Sequence, residues 1–133
     1  MVIEQDGKVG IGTTSPSYTL DVSGSTRSAG AVYKNIIATT EDPYDVLSTD
    51  YVILIGGSGA RTVNLPSISG QLGRVLIIKD QDRNAQAGNI RVEASGSENI
   101  DGQGFRNFQN NGKTMTIIAG SDQWYRISEF ESN

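Results

Sequence analysis

The chain has 133 residues, 15 acidic against 11 basic side chains for a formal net charge of −4, and neither cysteine nor histidine. Disulfides and thiolate chemistry are therefore excluded, the commonest general base and metal ligand is missing, and the acidic balance with scattered single cations speaks against nucleic acid. Hydrophobic residues make up 36% and glycine contributes 16 residues, so turns are plentiful and apolar volume is scarce, a balance that suits short strands better than helix bundles.

In chain order, the start MVIEQDGKVG lacks the basic head and apolar core of a secretory signal, and an excised piece of a longer chain with an added Met is the expectation. From Gly7 the chain reads GKVGIGTTSPSYTLDVSGSTRSAG. Lys8 to Gly12 and Tyr18 to Val22 alternate as very short strands around Thr13-Thr14-Ser15-Pro16-Ser17. Strands this short and glycine-rich bury little within one chain. Ala31 to Thr39 has strand character, with a helical alternative open. A polar linker, Thr40 to Asp45, follows, and Pro43 turns Asp42 away from helical geometry. The boundary between a thin segment, 1–42, and a globular one, 43–133, is placed there.

Beyond it the strand signals recur every 8 to 15 residues or so, as expected of a sandwich or barrel. Tyr51 to Ile55 is continuously apolar and stops at Gly56-Gly57-Ser58-Gly59. Arg61 to Leu65, Arg74 to Lys79, Asn89 to Glu93, Glu98 to Ile100, Lys113 to Ala119 and Trp124 to Ile127 complete the series. No segment sustains a 3.6-residue apolar period, no repeat of solenoid length is visible, and no run approaches a membrane span, so the protein is expected not to be membrane-embedded. The expected class is all-β, with a small antiparallel sandwich or barrel after the thin segment.

The opening stretch resembles the GIGT-x-SP…LDVSG signature of bacteriophage tail fibres. The later run, through Arg61-Thr62-Val63-Asn64-Leu65-Pro66, Gly73-Arg74, Ile78-Lys79-Asp80, Asn89-Ile90, Ile100-Asp101-Gly102 and Trp124-Tyr125, resembles a small β-module of those fibres and of the fibre-like adhesin tips of predatory bacteria. The resemblance implies a parallel homotrimer, a location on an extracellular fibre (a virion tail fibre or a bacterial cell surface) and no cofactor. Threefold closure would cover thin strands with identical neighbours and remove open edges. Val9, Ile11, Leu20 and Val22 are the expected axial residues of the thin segment, and Ile53, Ile55, Val75 and Ile77 those of the globular one, shared with the intrachain core.

Candidate chemistry is sparse. Asp80-Gln81-Asp82-Arg83-Asn84 opens like a calcium loop, but Ala85 stands at the glycine position and Arg91 at that of the bidentate glutamate. Glu41, Asp42, Asp45 and Asp50 cluster on one linker, which a solvated turn explains better than an opposed glycosidase pair. No metal and no catalysis are expected. Phe105, Arg106, Asn107 and Phe108 lie in a Gly/Asn/Gln-rich loop, Gly102 to Gly112, where two readings fit: a recognition patch, or phenylalanines plugging an interface between copies. Tyr125, alternating with an inward Trp124, joins the candidate ligand residues. The favoured function is the fibre's C-terminal, receptor-binding tip, adhering to a glycan or outer-membrane component of a host or prey cell. The alternative is a purely structural trimerisation module.

Overall fold

Among the described residues, short runs of strand-forming residues, many of them ended by Gly, Pro, Asn or Asp, fold into twelve strands in three sheets. The computed structural model describes residues 1–85, 89–108 and 110–130. The chain divides into two compact units, Met1–Tyr33 and Lys34–Asn133.

The first unit holds β1 (Val2–Ile3), β2 (Val9–Ile11) and β3 (Leu20–Val22) in the order β1-β2-β3. β1 runs antiparallel to β2, and β3 runs parallel to it, with Val9 opposite Leu20 and Ile11 opposite Val22. The turn after β2 presses on Gly10, where a Cβ would stand 2.6 Å from the Thr13 carbonyl oxygen, so no side chain fits. Only Gly10 and Pro16 are buried in this unit. Val9 and Val22 are half-buried, whereas Ile11 and Leu20 remain 46% and 60% exposed. Three strands of two or three residues cannot enclose a core.

The second unit contains β4 (Ile36–Thr39), β5 (Tyr44–Asp45), β6 (Val52–Ile55), β7 (Arg61–Asn64), β8 (Val75–Asp80) and β9 (Ile90–Glu93), followed by β10 (Phe105–Phe108), β11 (Thr114–Ala119) and β12 (Trp124–Phe130). They form a five-stranded sheet, β12-β11-β8-β6-β4, and a four-stranded sheet, β10-β9-β7-β5. From β4 to β9 the chain crosses to the other sheet after every strand. A strand's sheet neighbour is therefore two strands away and runs the same way: β4 with β6, β6 with β8, β5 with β7, and β7 with β9 are all parallel. Only β10, β11 and β12 add antiparallel pairs to this framework. The class is all-β as expected, but the expected antiparallel sandwich or barrel is corrected: the sheets do not close into a barrel, and their pairing is largely parallel with an antiparallel end. Parallel neighbours require crossover connections, and these connections cross between sheets rather than turning back as hairpins. The strand Ile36–Thr39 pairs with β6 and so belongs to this unit.

Both sheets contribute inward residues to one core. Val63, Ile90, Val92 and Phe108 come from the four-stranded sheet, and Ile53, Ile55, Leu76, Ile78, Met115, Ile117 and Trp124 from the five-stranded one. Ile53 and Ile55 are therefore intrachain core, while Val75 and Ile77 alternate with Leu76 and Ile78 and face outward. The buried carboxylates Asp80 and Asp50 accept from backbone N–H groups. Asp80 accepts hydrogen bonds from the N–H groups of Asn84, Ala85 and Gly112, at 3.2, 3.1 and 2.7 Å. The carboxylate that suggested a calcium loop instead ties two turns together. Asp50, expected in a solvated turn, is buried and accepts from the Tyr44 hydroxyl at 2.7 Å and the Leu47 N–H at 2.8 Å. Burial, with Asp50 alongside, pushes the Tyr44 phenol up to about 12.

Candidate functional site

The stretch Phe105-Arg106-Asn107-Phe108 forms strand β10 rather than a loop tip, paired with β9 through Phe105–Glu93 and Phe108–Ile90. Strand alternation then separates the four candidates. Phe108 faces inward opposite Ile90 and is fully buried, so its expected role in recognition is corrected to that of a core side chain. Phe105 and Asn107 lie on the outer face. Phe105 is 39% exposed, and the Arg91 guanidinium stacks 3.7 Å from its ring centroid while reaching Glu93 Oε1 at 3.2 Å. Asn107 Oδ1 is buried without a hydrogen-bond partner among the described residues.

Arg106 clasps the turn before its own strand. Its Nε donates to the Ile100 carbonyl at 3.1 Å, Nη2 to the Asp101 carbonyl at 2.8 Å and Nη1 to Gln103 Oε1 at 2.5 Å. Between edge strands β10 and β12, Gln103, Phe105, Arg106 and Asn107 line a shallow pocket of about 220 Å³ together with Lys113, Arg126 and Glu129. Two of its cations are paired: Arg126 with Asp101 at 2.8 Å and with Glu129 at 2.9 Å, and Lys113 with Glu129 at 2.7 Å. Burial alone would raise the Asp101 carboxyl, but the hydrogen bonds and charge of Arg126, with Arg106 adding to them, outweigh it and hold that carboxyl below the usual aspartate range. Lys113 and Arg126 thus spend their charge on carboxylates, whereas Arg106 keeps its charge and spends its donors on the turn.

Tyr125 sits elsewhere. It pairs with Ile118 in the five-stranded sheet, faces outward and donates its hydroxyl to Asp122 at 2.8 Å. Its ring lies over Gly120, where a Cβ would come within 2.5 Å of the ring. Tyr125 and Phe105 therefore belong to opposite sheets and do not form one site.

Register defines the two outer faces. On the five-stranded sheet, Ile36, Val52, Ile77 and Thr116 lie side by side, with Ala38, Leu54, Lys79 and Thr114 in the next row. Val75, Ile118 and Tyr125 extend the patch, and Phe130, 68% exposed, stands beside Thr114. Lys79, the one charge in these rows, donates to the Gly112 carbonyl. On the four-stranded sheet, Asp45, Asn64, Glu93 and Phe105 form one row, and Thr62, Arg91 and Asn107 the next. Asn64 Nδ2 donates to Asp45 Oδ1 at 2.7 Å, and an open groove of about 520 Å³ runs along Asp45, Asn64 and Glu93. Sequence reasoning missed this row. Alternation in RTVNL and NIRVE marks Asn64 and Glu93 as outward, but only the parallel register brings them beside Asp45. No family model matches this chain, and no curated protein matches it.

Proposed function

We propose that this chain is the receptor-binding end of a homotrimeric, extracellular fibre, resembling bacteriophage tail fibres, that adheres to a glycan or outer-membrane component of a cell surface without catalysis. One observation carries the reading: the parallel strands β6 and β8 are apolar on both faces, yet only their inner faces meet the core. Parallel sheets ordinarily have both faces covered. Here Val52, Leu54, Val75 and Ile77 are half-buried on the outer face, an aliphatic surface that identical copies would cover. Three copies at fixed spacing turn a weak single site into avid attachment. Side chains between β10 and β12 that are tied to one another and to the Ile100–Gln103 turn favour a second reading, a purely structural trimerisation module, in which no ligand is bound.

Light scattering after size exclusion, at micromolar chain concentration, tests the assembly. A three-chain mass is expected, and a folded species of single-chain mass overturns the proposal. Retention of the trimer on a glycan array or on immobilised outer-membrane extract separates adhesion from scaffolding.

A further inference from the structure

We infer that the outer face of the four-stranded sheet is a binding face for an uncharged oligosaccharide, with Asp45, Asn64 and Glu93 taking hydroxyls and Phe105 offering its ring to the C–H face of a pyranose. The inference rests on the adhesive reading and gives it a place and a ligand class. Four neighbouring strands set these side chains in one row, roughly 14 Å long at the usual strand spacing, which suits two or three sugar units. The groove of about 520 Å³ along the acidic end of the row has the size of a small-ligand site.

The side chains are held before any ligand arrives. Asn64 is fixed by Asp45 at 2.7 Å, Glu93 by Arg91 at 3.2 Å, and Phe105 by the Arg91 guanidinium stacked on it. Each bond uses one oxygen of Asp45 and of Glu93, leaving the second of each as an acceptor on residues that line the groove. Paired planar acceptors match vicinal hydroxyls, and an aromatic ring matches the apolar side of the sugar. Charge narrows the class. Two carboxylates against the single Arg91 leave the row negative, so a uronate or sialate is repelled where a neutral sugar is not. The face is also the one left free when copies meet through the aliphatic sheet.

The test titrates the isotope-labelled full chain with maltotriose, chitotriose, mannotriose and trigalacturonate, following backbone amides by NMR. At least one neutral trisaccharide is expected to shift the amides of β5, β7, β9 and Phe105, with trigalacturonate at least tenfold weaker. Asn64→Ala and Phe105→Ala should each weaken that binding about tenfold without changing the assembly mass. Absence of shifts with all three neutral sugars, shifts confined to Gln103, Arg106, Lys113, Arg126 and Glu129 with β5, β7 and β9 unmoved, or equal binding of trigalacturonate would overturn the inference. The adhesive reading is judged separately, by mass and by array retention: a trimer retained on the array that leaves this row unshifted refutes the site alone.

Discussion

The two sheets of the second unit bury their inner faces in the same core but turn opposite chemistries outward. Strands β6 and β8 (Val52-Ile-Leu-Ile55 and Val75-Leu-Ile-Ile78) keep aliphatic residues at outward as well as inward positions, whereas β7 and β9 alternate Thr62 and Asn64, or Arg91 and Glu93, with their buried valines. Since the core is closed by the inward set alone, the outward aliphatics are unnecessary for folding one chain. They are also a liability in water unless another surface covers them. The contrast teaches that inward positions report the fold and outward positions report what the molecule meets. The sharpest way to break it is to charge the centre of the aliphatic face. Ile77→Lys places an ammonium where a copy would pack, and burying it unpaired is prohibitive. The expected outcome is complete conversion from three-chain to single-chain mass with an unchanged circular-dichroism spectrum. Thr62→Lys, the matching change on the polar face, should leave the mass as it was. Equal effects of the two substitutions would erase the distinction between the faces.

Much of this architecture is legible in the residues, and what is not has a definable cause. Period-two alternation and apolar runs locate β6, β7, β8, β9, β11 and β12, because they report which positions leave water. They do not report a strand's partner. The parallel pairing escaped because its connections differ in length: Ile36 aligns with Val52, but Val52 aligns with Ile77, so no fixed period survives in the sequence. The same blindness hid the Asp45–Asn64–Glu93 row, whose members come from three separate strands. Continuous apolarity at VILI and VLII was the available clue to parallel pairing, since antiparallel strands with one wet face would have alternated. In FRNF, a Gly/Asn/Gln-rich neighbourhood suggested a loop, while the odd, three-residue separation of its two phenylalanines would in a strand put one ring outward and the other inward.

That pair sharpens the comparison within a single strand. Phe108 is fully buried against the core, and Phe105 stands outside with Arg91 stacked on it. Phe108→Ala removes a large core side chain and should cost about 3–5 kcal/mol. Phe105→Ala loses an exposed ring and one cation–π contact, about 1 kcal/mol or less. Urea denaturation of the two variants, with the assembly state held fixed, measures the difference. Comparable losses would mean that Phe105 carries packing of its own, and that its outward placement says nothing about a ligand.

The smallest expected effect lies where the two sheets come together at their edges, through Asp101, Arg126 and Glu129. The folded Asp101 carboxyl is held below its ordinary range by Arg126, so its contribution is complete above the unfolded-state value and is lost as the pH falls through the lower folded one. Both side chains are 29% exposed, and solvent screening limits the pair to about 1 kcal/mol at most. Asp101→Asn should therefore lower stability slightly at neutral pH, and the gap to the unaltered chain should close as the solution is acidified below the folded carboxyl's range. Urea midpoints collected from neutral to acid pH follow that closure. A gap of constant size across the series would show that the ionised form of Asp101, which both Arg126 hydrogen bonds favour, is not the source of the difference. Adding Arg126→Gln to each background then divides the remainder: if the cycle closes to zero, the edge is held by the Arg106 clasp and the β11–β12 ladder, and the ion pair only decorates it.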